Sequence, residues 1–244
     1  MTTLLISDLH LHPGAPEIAS GFLDYLEHTA REARALYILG DLFEAWIGDD
    51  YHLDGDFEAP ILEALSRLSD AGTQVYFMHG NRDFLIGEDF AKACGATLLS
   101  DPHLLELNGE RILLMHGDSL CTRDEEYMEF RAMTRDPQWQ GQILALPVQE
   151  RLELARNLRT QSGEANSNKA QDIMDVTPAE VVKVMQEHQV RTLIHGHTHR
   201  PDVHELDIKD EPARRFVLGD WKKDQGWDIR IEDGGKPTLR RFGY

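Results

Sequence analysis

Five times along this chain a short apolar run leads at once into side chains that can hold a cation. Leu4-Leu5-Ile6 precedes Asp8-Leu9-His10, Leu36-Tyr37-Ile38-Leu39 precedes Gly40-Asp41, and Val75-Tyr76-Phe77-Met78 precedes Gly80-Asn81-Arg82-Asp83. Further on, Ile112-Leu113-Leu114-Met115 precedes His116-Gly117-Asp118, and Thr192-Leu193-Ile194 precedes His195-Gly196-His197-Thr198-His199. Short apolar runs bounded by Gly, Asn and Asp read as buried strands. In an α/β sheet, side chains at the carboxyl ends of neighbouring strands converge on one crevice, so stretches far apart in sequence can meet there.

Between the first three runs lie amphipathic stretches of helical length, at 17–31 and 60–70, which gives a β-α-β pattern and a layered α/β architecture. The hairpin signal Asn108-Gly109, set between Leu104-Leu105-Glu106-Leu107 and the fourth run, predicts that the sheet becomes mixed there. A further helix is expected at 178–188, with short β segments around Val203, Phe216-Val217-Leu218 and Asp228-Ile229-Arg230-Ile231. Residues 122–170 differ in texture: helix-friendly, poor in β-branched residues and nearly neutral, with seven basic against eight acidic side chains. They read as a helical insertion, or cap, on a core made of 1–121 and 171–244.

Composition removes several classes of protein. Lys+Arg 25 against Asp+Glu 43 gives a formal charge of −18, which argues against broad adhesion to nucleic acid or an anionic bilayer. Two cysteines provide neither a disulfide framework nor a thiolate zinc site, and fit a reducing, cytoplasmic setting. The start of the chain lacks the basic and apolar regions of a signal peptide, and no apolar stretch is long enough to span a membrane.

Taken singly, Asp-x-His, Gly-Asp and Gly-Asn are ordinary turn formers. Three imidazoles within His195-Gly196-His197-Thr198-His199 have no packing rationale, and five such motifs behind five strands make coincidence a poor explanation. Carboxylates, one amide and several imidazoles without a thiolate suit Mn²⁺, Fe²⁺, Co²⁺ or Zn²⁺. The donors exceed what one ion needs, so two ions sharing a carboxylate is the economical arrangement, and such pairs serve phosphoryl displacement. A non-catalytic metal-binding scaffold is the competing reading from outside enzymology.

Asp8-x-His10, Gly40-Asp41, Gly80-Asn81, His116 and Gly196-His197-x-His199 together resemble the signature of calcineurin-like metallophosphoesterases. The resemblance implies a four-layer sandwich of two mixed β-sheets flanked by helices, around a dinuclear centre. It assigns Asp8, His10, Asp41 and one C-terminal His to the first metal, and Asp41, Asn81, His116 and the other C-terminal His to the second. Asp41 would bridge. The family's C-terminal pair is placed on His195 and His197 with His199 outside it, although the repeated spacing leaves His197 and His199 as the alternative register.

Two departures narrow the match. Glu44 stands where the family has a second Asp, and Arg82 where it has a His. A fixed cation in place of a general acid suits a substrate rich in phosphate charge whose leaving group needs no strong protonation. The stretches around Tyr37 to Asp49, His79-Gly80-Asn81-Arg82-Asp83-Phe84, Glu164-Ala165-Asn166-Ser167 and Ile194 to Pro201 resemble the branch of the family acting on a lipid-linked nucleotide sugar. That resemblance implies hydrolysis of UDP-2,3-diacylglucosamine to UMP and the diacylglucosamine 1-phosphate lipid X, a step of lipid A biosynthesis. It also implies two Mn²⁺ ions and peripheral attachment to the cytoplasmic face of the inner membrane, with no nucleic acid and no obligate protein partner. Asn81, Arg82 and His116 would be catalytic, and Asn81, Arg82, Asp124, Ser162, Asn166, Lys169 and His195 would touch substrate. The alternative is a soluble metal-dependent phosphodiesterase or phosphatase of the same superfamily.

Ser162, Asn166 and Lys169 stand at i, i+4 and i+7, on one face of a continuous helix. The apolar residues Trp139, Ile143, Leu144, Leu146 and Val148 either pack the insertion onto the body or line a channel for acyl chains. His12, His28, His52, His103, His188 and His204 match no motif and are expected at the surface.

Overall fold

A computed structural model describes residues 1–167 and 175–244, with 161–167 as backbone only. The chain order is β1 (Thr2–Ile6), α1 (Pro16–His28), β2 (Ala35–Leu39), α2 (Asp49–His52), α3 (Ala59–Asp70), β3 (Gln74–Met78), α4 (Glu88–Cys94) and β4 (Ala96–Leu99). There follow β5 (His103–Leu107), β6 (Glu110–Leu114), α5 (Glu125–Thr134), α6 (Pro137–Leu144), α7 (Val148–Ser167) and α8 (Pro178–Glu187). The chain closes with β7 (Thr192–His195), β8 (Asp202–Asp207), β9 (Pro212–Val217), β10 (Gln225–Glu232) and β11 (Thr238–Gly243).

Two mixed sheets form, in the orders β11-β10-β1-β2-β3-β4 and β5-β6-β7-β9-β8. The hairpin at Asn108-Gly109, where both residues take positive φ (54° and 78°), thus opens a second sheet rather than continuing the first. Alternation along the strands explains the layering. Leu4, Ile6, Leu36 and Ile38 face α1, α3 and α4, while Leu5, Tyr37 and Leu39 meet Leu114, Ile194 and Phe216 between the sheets. Leu113 and Leu193, on the far side of the second sheet, pack with Val181 and Met185 of α8. Because strands such as β1 and β2 are covered on both faces, they read as continuous apolar runs.

The helix expected at 17–31 ends at His28, and residues 30–32 continue as a 3₁₀ turn that buries Ala30. Between β6 and α8 the described residues form three helices, α5, α6 and α7, joined by short turns. Asp124 caps α5 by accepting from the Tyr127 amide, and Asp136 caps α6 by accepting from Gln138 and Trp139. Among the histidines expected at the surface, His52 is instead buried, stacked on Trp46 with its Nδ1 2.9 Å from Glu58. Its flat ring fills space beside the indole, and the carboxylate satisfies Nδ1.

Candidate metal centre

The carboxyl ends of β1, β2 and β3 in one sheet and of β6 and β7 in the other converge, which brings the five motifs together. Backbone hydrogen bonds fix them: the Asp8 amide to the Gly40 carbonyl (3.1 Å), the His10 amide to Asp41 (2.9 Å), and the Gly196 amide to His116 (2.8 Å). Asp8, His10, Asp41, His197 and His199 all adopt positive φ, five of the nine non-glycine residues that do so among those described. Such backbone is uncommon outside glycine, though Asp and His tolerate it better than most residues, and it persists where the surroundings enforce it, often at functional sites. Gly80 has no such torsion, yet a Cβ there would collide with the Asp41 carboxylate, so close approach of backbone and ligand requires glycine.

The donors fall into two overlapping groups, Asp8 with His10 and His199, and Asp8 with Asp41 and His116. Asp41 Oδ2 stands between the halves, 3.8 Å from His10 Nε2 and 3.7 Å from His116 Nε2. Asn81 Oδ1 joins the second half, 3.0 Å from His116 Nε2 and 2.9 Å from His197 Nδ1. His199 Nε2 lies 3.2 Å from His10 Nε2 and 3.4 Å from Asp8 Oδ1. These oxygen and imidazole donors, packed this tightly without a thiolate, fit divalent transition ions.

His195 differs from this expectation. Its Nδ1 lies 2.8 Å from the Gly196 carbonyl and its Nε2 3.2 Å from Arg215, so neither ring nitrogen faces the donors. It is the last residue of β7 and keeps the strand's pleat, whereas His197 and His199 follow it with left-handed backbone that swings their rings into the cluster. The geometry favours the His197 and His199 register.

Electrostatics support the grouping. Burial alone would lower the His10 and His116 pKa values, but the hydrogen bond to Glu44 at 2.9 Å and the charges of Asp41 and Asp8 push His10 up to about 9. Asp41, Asp118 and Asp8 likewise push His116 up to about 9. Burial and repulsion from His116 hold His197 down at about 4, ready to offer a lone pair. Asp8 stays well below the usual carboxylate range despite its burial, through His199, His116 and His10.

Several contacts that no sequence pattern encodes hold the donors in place. Glu44 orients His10 and pairs with Arg159 of α7. Buried Asp83 accepts from the amides of Gly80 (2.8 Å), Leu42 (2.8 Å) and Asp41 (3.3 Å), tying the second and third motifs together. Burial and the nearby Asp41 raise its pKa to about 6. His116 is steered by the Leu39 carbonyl, 2.8 Å from its Nδ1, which leaves Nε2 facing the cluster.

Beside the donors opens a cavity of about 350 Å³. Its lining combines polar side chains, among them Asn81, Arg82, Glu44 and Arg159, with apolar walls from Trp46, Phe84, Phe130, Trp139, Ile143 and Leu158. Of the apolar strip of the insertion, Trp139 and Ile143 line this space while Leu144 is exposed. The Arg82 Nε is buried without a hydrogen-bond partner among the described atoms. Asp124, expected at the substrate, caps α5 and is not among the lining residues. Ser162 and Asn166 lie on α7 where only backbone is described, and Lys169 lies outside the described residues.

Left-handed ligand residues at strand ends between two mixed sheets define a metal-dependent phosphoesterase site, and the chain belongs to the calcineurin-like phosphoesterase family, whose sequence profile matches residues 1–201. Within it, the chain is 67% identical over 244 residues to the UDP-2,3-diacylglucosamine hydrolase of Chromohalobacter salexigens, covering 100% of this chain and 98% of that protein. It is also 56% identical to the enzyme of that name from Pseudomonas savastanoi pv. phaseolicola (99% and 96% covered). The Pseudomonas aeruginosa enzyme of the same name is 55% identical (96% and 97% covered).

Proposed function

We propose that this chain hydrolyses the pyrophosphate bond of UDP-2,3-diacylglucosamine, with water attacking the α-phosphorus, to give UMP and 2,3-diacylglucosamine 1-phosphate. The observation that carries the reading is the cavity, which joins the metal-ligand cluster to walls of aromatic and aliphatic side chains. A diphosphate would meet the polar groups beside Asn81 and acyl chains the apolar walls, an arrangement that a soluble phosphodiester does not need. The names of the relatives point the same way.

Asp8, His10, Asp41 and His199 would hold one ion, and Asp41, Asn81, His116 and His197 the other, with Asp41 shared. Two Mn²⁺ ions match the donor set. Bound there, they would lower the pKa of water and neutralise charge on the phosphoryl oxygens. Arg82 lines the cavity and its buried Nε–H has no partner among the described atoms, which suits charge growing on phosphate oxygens in the transition state. The departing sugar phosphate is already a stable anion, so the absence of a family His at this position costs little. Glu44 keeps His10 oriented, and Asn81 and His116 complete the catalytic set.

Residues 122–170 would act as the substrate-binding cap, with Ser162, Asn166 and Lys169 reaching the sugar phosphate. The chain would work as a peripheral protein on the cytoplasmic face of the inner membrane, without nucleic acid or an obligate protein partner. No helix among the described residues is long and apolar enough to cross a membrane, and Met133 and Leu144 of the cap expose apolar surface. Purified protein with Mn²⁺ should release UMP from UDP-2,3-diacylglucosamine presented in detergent micelles. Intact substrate after prolonged incubation, with a simple phosphodiester hydrolysed instead, would overturn the assignment.

A further inference from the structure

The corner between α5 and α6 grips the loop carrying Asn81 at both of its ends. Arg135, which ends α5, donates from its guanidinium to the Gly80 carbonyl at 2.9 Å. Gln140 of α6 donates to the Phe84 carbonyl at 3.3 Å and to the Thr134 carbonyl at 2.8 Å. The Arg135 guanidinium also lies 5.9 Å from the centroid of the Phe84 ring and 3.6 Å from the Asp118 carboxylate. Asp118 stands two residues beyond His116 and accepts from the Tyr127 hydroxyl at 2.7 Å and from Arg131 Nε at 2.9 Å. The cap is therefore fastened to the two loops that supply Asn81 and His116, and not merely laid over the cavity.

We infer that Arg135 is a positioning residue: through the Gly80 carbonyl it sets where Asn81 stands, and so couples seating of the cap to occupancy of the metal subsite built on Asn81, His116 and His197. This rests on the metal centre proposed above and not on the identity of the substrate. The charge-assisted bond holds the peptide that precedes Asn81, and outer partners of this kind alter metal affinity by about 10- to 100-fold. Coupling between binding and cap seating is reciprocal, so an ion at that subsite tightens the corner as much as the corner tightens the ion.

Calorimetric titration of the full chain with MnCl₂, with hydrogen exchange of residues 125–144 followed in the same samples, tests this. Arg135→Ala should weaken one of the two manganese-binding events about tenfold or more and leave the other unchanged. Manganese should raise protection of 125–144 in the unaltered protein and fail to do so in the variant. Arg135→Lys keeps the charge beside Asp118 but loses the planar fork, and should show the same selective loss in smaller degree; it serves if the alanine variant does not fold. Arg151→Ala, which frees the cap from Asp50 and the Ile47 carbonyl at a different place, should leave both manganese affinities unchanged. Unaltered manganese binding in both Arg135 variants, or equal weakening of both events in Arg135→Ala and Arg151→Ala alike, would overturn the inference. Absence of manganese binding in the unaltered protein would overturn the metal centre itself.

Discussion

Loading the centre with metal should expel close to two protons at pH 7. His10 and His116 are each pushed up to about 9 in the metal-free protein, chiefly by the carboxylates of Glu44, Asp41, Asp118 and Asp8 working against burial. Two pH units below that value each imidazole is protonated almost completely, and stripping its proton costs about 2.7 kcal/mol at pH 7. Affinity should therefore climb steeply between pH 7 and 9, by up to about 100-fold for each imidazole that an ion engages, and level off above. Calorimetry in buffers of different ionisation enthalpy counts the protons directly. Stability has the complementary sign. A folded-state pKa raised above 6.5 stabilises the metal-free protein below pH 6.5, and that contribution is lost as pH rises through about 9. The melting temperature of chelated protein should fall across that window. Heats independent of buffer, together with equal affinity at pH 7 and pH 9, would refute the reasoning.

Three substitutions extend the account. Asp83→Ala leaves the amides of Gly80, Leu42 and Asp41 buried without their acceptor, and should cost about 3 kcal/mol or more in denaturant unfolding, with reduced manganese affinity. Arg82→Lys keeps a charge but not the planar fork; kcat/KM for UMP release should drop about 100-fold with manganese binding unchanged. Ile143→Asp places a carboxylate in the apolar wall of the cavity, so KM for the diacyl substrate should rise about tenfold or more while turnover of a short-chain analogue holds.

Strand ends were legible because burial on both faces forces continuous apolar runs, so the positions just beyond β1, β2, β3, β6 and β7 could be read directly. β4 and β11 were not. β4 is a short edge strand, and β11 places charged Arg240 and Arg241 at an edge, where solvent removes the apolar signal. The register of the C-terminal histidines was hidden for a different reason. His195, His197 and His199 repeat at the same spacing, and only the left-handed turns after β7 decide which rings reach Asp8 and Asn81. Asp83 was visible as part of its motif, but its role as an acceptor for four amides depends on the approach of the β2 end, which no local pattern encodes. Asp124 has a side chain suited to both capping and substrate contact, and its place before α5 accounts for the capping bond to Tyr127.

Anomalous diffraction from manganese-loaded crystals is the most direct test of a shared two-ion centre. Two peaks should flank the Asp41 carboxylate, one among Asp8, His10 and His199 and the other among Asn81, His116 and His197. A single peak, or manganese bound through His195 with His199 uninvolved, would contradict it.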